Sequence, residues 1–155
     1  FQGRVLPILE AAGCEVDATL TTHSQHGLEL ARDLDLSKSY DAIVCVSGDG
    51  MLHEVLNGLV QHKDPARALA IPLAPVPAGS GNAVTVNLIG VAQGFNLALA
   101  SLNIIKGKPM DVDVCSVTQP VDATQSHPKM DTSASRQSNG SLVTRGNSSS
   151  TLQPE

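Results

Sequence analysis

The 155 residues are 41% hydrophobic but only 2% aromatic, with no tryptophan, three cysteines and a formal net charge of -5. That length fills one domain and not two. An acidic chain with three aromatic rings and no cluster of Lys or Arg lacks the footprint of a nucleic-acid binder, and no run approaches the ~20 apolar residues of a membrane span. The start, Phe1-Gln2-Gly3-Arg4, does not read as a signal peptide. Cys14, Cys45 and Cys115 are too far apart for a zinc site or a disulfide framework; they read as packing residues in a reducing, cytoplasmic compartment.

Composition divides the chain. Residues 1–115 hold 12 acidic and 7 basic side chains and so the whole net charge, whereas residues 116–155 are neutral and 14 of those 40 are Ser or Thr. Residues 119–155 have too few apolar side chains to offset the entropy of ordering, so this segment reads as disordered and residues 1–118 as the folded domain. Asn139-Gly-Ser141 and Asn147-Ser-Ser149 match a glycosylation pattern that a Ser-rich stretch produces by chance.

Within the domain two hydrophobic periods alternate. Val5, Ile8, Leu9 and Ala12 share a helical face closed by Gly13, and Val16, Ala18 and Leu20 then alternate as a strand does. A second helix spans about His26 to Leu36. Ala42 to Val46 is a continuous apolar run, the mark of a parallel strand buried on both faces. Met51 opens a third helix on Leu52, Val55, Leu56 and Leu59. Ala70 to Val76 reads as a strand that its prolines push to an edge or a bulge, Phe95 to Ile105 as a helix, and Met110 to Val117 as a last strand. This order predicts an α/β fold: an open, doubly wound, mostly parallel sheet with helices on both faces. The series begins on a helix, as it would if a first strand were missing.

Ligands of such sheets bind at the carboxyl ends of the strands. Behind the strand ending at Val46 stands Ser47-Gly48-Asp49-Gly50, whose glycines let backbone amides approach a phosphate. A carboxylate at its centre would repel that phosphate unless Mg2+ intervenes or Asp49 takes a proton from an attacking hydroxyl; capping of the following helix is the structural alternative. Pro77-Ala78-Gly79-Ser80-Gly81-Asn82-Ala83 follows the next strand and offers a second nest of donors. Neither loop carries the Lys of a phosphate-binding P-loop or the third Gly of a dinucleotide fingerprint. Glu54, one turn into the third helix, either stabilises the helix dipole or contacts a ligand. Thr21, Thr22, His23, Ser24 and Gln25 end the first strand with groups able to line a nucleotide cleft, Ser24 also being a candidate cap for the second helix. The five histidines lack zinc-site spacing.

Ser47-Gly-Asp-Gly-Met-Leu-His-Glu-Val-Leu-Asn-Gly-Leu59 followed by Pro77-Ala-Gly-Ser-Gly-Asn-Ala83 resembles the catalytic domain of the diacylglycerol kinase superfamily, and within it the sphingosine, or sphingoid long-chain base, kinases. Leu20-Thr21 with His26, and Lys106-Gly-Lys-Pro-Met-Asp-Val-Asp113, extend the resemblance over about residues 4 to 117. Related NAD kinases share the Gly-Asp-Gly turn but not the second loop, and ceramide and diacylglycerol kinases typically differ in both. The resemblance implies transfer of the γ-phosphate of ATP, with Mg2+, to the primary hydroxyl of a sphingoid base. It makes Asp49 the general base, assigns Ser47, Gly48, Asp49 and Gly50 to the lipid substrate, and assigns Thr21, Thr22, His23, Ser24, Gln25, Glu54, Gly79, Ser80, Gly81 and Asn82 to the nucleotide. Asn82 would brace its loop. No residue is assigned as a protein metal ligand, and a lipid substrate implies peripheral contact with a membrane surface. The family's Asn-Pro-x-Gly-Gly loop and its second, mostly β domain have no counterpart here. Diacylglycerol, ceramide or NAD as acceptor, and a catalytically inactive fragment, are the alternatives.

Overall fold

The computed structural model describes residues 1–118. Every helix and strand among the described residues lies in the compact unit Phe1–Val112, and Asp113–Glu155 form a second unit whose described residues, 113–118, hold no helix or strand. The segment expected to be disordered, 119–155, with its glycosylation-like motifs, lies outside the described residues.

The elements in order are α1 (Leu6–Ala11), α2 (His26–Arg32), β1 (Ile43–Ser47), α3 (Asp49–Val60), α4 (Pro65–Leu69), β2 (Leu73–Pro77), α5 (Ala83–Ile89) and α6 (Leu97–Lys106). β1 and β2 pair in parallel, Ile43 opposite Leu73 through Ser47 opposite Pro77. A parallel pair requires a crossover, which α3 and α4 supply. Pro75 and Pro77 remove two amide donors from β2, a loss a strand tolerates at a sheet edge.

Side chains of β1 alternate between two cores. Cys45 packs with Ala31, Leu36, Val55, Leu59 and Ala68, beneath α2, α3 and α4. Val44 and Val46 pack on the other side with Val5, Leu9, Val76 and Ala100, beneath α1 and α6. The period-2 pleat of a single strand thus anchors helices on both faces of the sheet. Leu59 is 1% exposed, and a leucine so buried contributes about 1.5 to 3 kcal/mol. Burial also pushes the Cys45 thiol up to about 11, so it stays protonated as a packing group. Cys14 and Cys115, by contrast, are exposed and do not pack.

Two of the four expected strands do not form. Residues 16–20 and 110–117 are irregular. A strand needs a neighbour to receive its backbone hydrogen bonds, and among the described residues β1 and β2 pair only with each other. Nor does the alternating pattern build a buried face: Val16 packs in part against the second core, but Leu20 is 84% and Val112 71% exposed. The expected doubly wound order needs those strands, so the described residues establish only an α/β arrangement with a small parallel sheet. α1 ends at Ala11 with Ala12 as its C-cap, and Gly13, expected to close it, follows with φ +80°. α2 stops at Arg32, short of Leu36, and α3 begins at Asp49 rather than at Met51.

Candidate functional site

The carboxyl ends of β1 and β2 deliver the two glycine loops to one place. Adjacent parallel strands in register release their chains side by side, and here the loops touch backbone to backbone. A Cβ built on Gly79 would lie 2.5 Å from Gly48 N, and one built on Gly48 would lie 2.5 Å from Gly81 O. Only glycine permits that approach. Two hydrogen bonds lock it: Ala78 N donates to Ser47 O and Asp49 N donates to Gly81 O, each at 3.1 Å. Asn82, 4% exposed, closes the second loop, its Oδ1 accepting from Gly79 N at 3.2 Å and its Nδ2 donating to Gly79 O at 2.7 Å. This is the bracing role expected of it.

Asp49 stands on the first turn of α3, not at the centre of a turn before it. Its Oδ2 accepts from Ala83 N at 2.7 Å and its Oδ1 from Val84 N at 3.1 Å. It therefore caps a helix, but α5 instead of its own α3. The half-buried carboxylate has about four lone-pair positions and uses two, so each oxygen can still accept a hydroxyl proton. Ser80 and Gly81 are exposed, and their amides have no acceptor among the described residues. Free N–H groups beside a helix start favour an anion. Gly50 faces open space, with nothing within 4 Å of a built Cβ.

Glu54 makes a contact that neither expectation included. Its carboxylate reaches across to α2, accepting from Gln25 N at 3.0 Å and Gly27 N at 3.2 Å. It caps α2 from a distance of 27 residues in sequence, and Ser24 does not: the N-cap is Gln25, in a left-handed conformation with φ 65°, and makes no side-chain cap bond. Thr22 and His23 are tied to each other, Thr22 Oγ1 lying 3.1 Å from His23 Nδ1. Thr21 and Ser24 make no side-chain hydrogen bond among the described residues. Through Glu54 the loop from Thr21 to Gln25 is joined to α3, and through Asp49 the loop from Pro77 to Asn82 is joined to the same helix. α3 is thus the element to which both loops are tied.

Two participants are not marked by the sequence, the Ala83 and Val84 amides, and His26, which enters the resemblance without a role, accepts from Thr22 N through its Nδ1 at 3.1 Å. The four-residue spacing of Thr22 and His26 was the available signal. No group of three His, Cys, Asp or Glu side chains able to hold a metal occurs among the described residues, nor does a helix long and apolar enough to cross a membrane. A shallow cavity of about 400 Å³ bordered by Arg4, Phe95, Asn96, Leu97 and Ala98 shares no residue with the glycine loops.

Comparison with known proteins gives this geometry its context. Residues 1–117 match the family model of the diacylglycerol kinase catalytic domain. "Sphingosine kinase 1" of Arabidopsis thaliana is 40% identical over 120 residues, covering 77% of this chain and 24% of that protein. "Sphingoid long chain base kinase 5" of Saccharomyces cerevisiae is 37% identical over 131 residues, covering 84% and 18%. "Sphingosine kinase 2" of Homo sapiens is 42% identical over 123 residues, covering 76% and 19%. The chain spans a quarter or less of the length of these relatives. Its match over residues 1–117, which include both glycine loops, makes it a member of the diacylglycerol kinase catalytic domain family.

Proposed function

We propose that this chain is the nucleotide-binding lobe of an ATP-dependent lipid kinase that phosphorylates the primary hydroxyl of a sphingoid base. The observation that carries the reading is the backbone contact of Gly48 with Gly79 beside the Asp49 carboxylate, which sets free amides and a proton acceptor within one loop pair. In this reading the Ser80 and Gly81 amides and the Thr21, Thr22, His23, Ser24 and Gln25 loop hold the nucleotide, with Glu54 and Asn82 fixing the two loops. Ser47, Gly48 and Gly50 border the acceptor hydroxyl. Asp49 accepts its proton as the oxygen bonds to the γ-phosphorus and the bond to the ADP oxygen breaks. Mg2+ bound with the nucleotide would neutralise charge on its phosphates, and no residue of this chain is assigned to hold it. The longer protein completes the doubly wound sheet and meets its lipid at a cytoplasmic membrane surface.

The family name itself supports a second acceptor, diacylglycerol. Incubating a longer protein that contains this chain with γ-labelled ATP and a panel of sphingosine, diacylglycerol, ceramide and NAD distinguishes them. We expect label on the sphingoid base. Label on diacylglycerol or NAD alone would overturn the acceptor assignment, and no label on any acceptor would overturn the kinase reading.

A further inference from the structure

His26 stands at the start of α2, and its ring is turned back onto the loop before it. Its Nδ1 accepts the Thr22 backbone N–H at 3.1 Å. An imidazole nitrogen accepts only when it carries no proton, so in this arrangement His26 is neutral, with its hydrogen on Nε2. His23 stacks on it, the ring centroids 4.4 Å apart and the planes at 15°. His23 in turn sits 3.1 Å from Thr22 Oγ1 through Nδ1 and 3.1 Å from Glu29 Oε2 through Nε2. From α3, the helix packed against α2, Glu54 binds the amides of Gln25 and Gly27 on either side of His26. The carboxylates around the pair are therefore Glu29 and Glu54. The loop from Thr21 to Gln25 is held at one end by an anion that accepts backbone amides and at the other by a neutral ring that does the same.

We propose that His26 is a positioning residue for the nucleotide: its unprotonated Nδ1 fixes Thr22 and the stacked His23, and protonation of His26 frees the Thr22 amide. A proton on Nδ1 sets N–H against N–H, so the Thr22 amide loses its acceptor, while the Thr22 hydroxyl, 3.5 Å from the same nitrogen, becomes the group that accepts from it. The proposal rests on the reading of this loop as part of a nucleotide site. His26→Asn separates its parts, because the Asn amide oxygen takes the place of Nδ1 and does not titrate. His26→Phe keeps a ring to stack on His23 and supplies no acceptor.

The test is performed on the full 155-residue chain, isotope-labelled, between about pH 5 and about pH 8. Imidazole nitrogen shifts are expected to report His26 with its proton on Nε2 at the upper pH. Relative to intrinsic rates, the Thr22 amide should exchange roughly threefold to tenfold faster at the lower pH, the factor that one neutral hydrogen bond represents. In His26→Asn that pH dependence disappears. In His26→Phe exchange is fast at both pH values while the Leu59 amide keeps its protection; where this variant does not fold, the wild-type and Asn chains decide. A proton on Nδ1, or Thr22 exchange indifferent to both pH and His26→Asn, overturns the proposal. MgATP titrations of the same samples separate the two levels. Affinity falling with pH in the wild type but not in His26→Asn supports positioning, and affinity indifferent to pH in both overturns it. Absence of MgATP binding by every sample at every pH overturns the nucleotide reading instead.

Discussion

Asp49→Asn, placed in a protein that contains this chain together with the rest of its length, is expected to lower phosphoryl transfer by about 10²- to 10⁴-fold. Asparagine keeps the size of the side chain and one oxygen able to accept from Ala83 N or Val84 N, so the fold survives. What disappears is the second oxygen with its spare lone pair, the place where the proposed mechanism puts the hydroxyl proton. The structural cost is smaller and separable. One α5 amide now faces an NH2 group, a loss of about 1 kcal/mol at this half-exposed position. Asp49→Ala removes both cap bonds and should cost about 2 kcal/mol. Thermal melts and nucleotide titrations alongside the transfer assay distinguish the two roles. A drop in turnover no larger than the drop in folded population would mean that Asp49 is a helix cap and nothing more.

Gly79→Ala is expected to be the most destabilising substitution that adds a single methyl group in the loop pair. The new Cβ would lie 2.5 Å from Gly48 N and press on Gly48 Cα, which are backbone atoms held by β1 and α3. Neither side can yield without parting the ends of both strands and stretching the Ala78 to Ser47 and Asp49 to Gly81 hydrogen bonds. Overpacking and the lost bonds together amount to about 3 kcal/mol. For a folded unit of this size that lowers Tm by roughly 10 °C or more. Gly50→Ala is the control. Its methyl meets nothing within 4 Å, and replacing a helical glycine by alanine gains about 0.5 kcal/mol. Calorimetry on the two variants should move Tm in opposite directions; equal shifts would contradict the close contact of the loops.

Local periodicity made much of this architecture legible. The apolar run from Ala42 to Val46 overlaps the parallel strand Ile43–Ser47, whose alternate side chains feed two cores. Gly13 follows the C-cap of α1, where a left-handed residue is needed. Both glycine loops were visible as breaks between a strand and a helix. What periodicity missed is non-local. Glu54 caps α2 and Asp49 caps α5 across 27 and 34 residues, and no spacing rule within one helix anticipates a carboxylate that serves another. The expected strand from Val16 to Leu20 has the right alternation but no partner, and alternation alone does not bury a strand. α4 was overlooked although its signal was present. Asp64 caps it through Arg67 N at 3.3 Å, and Pro65 occupies its first turn.

In the proposed function the two glycine loops and the Thr21 to Gln25 loop form one nucleotide site around the start of α3. Backbone amide shifts of the labelled chain during titration with MgATP test it most directly. The largest changes are expected at Gly48, Gly79, Ser80 and Gly81, smaller ones from Thr21 to Gln25, and none at Arg4, Asn96 or Ala98 around the separate shallow cavity. Changes confined to that cavity, or none at the glycine loops when MgATP is saturating, would contradict it.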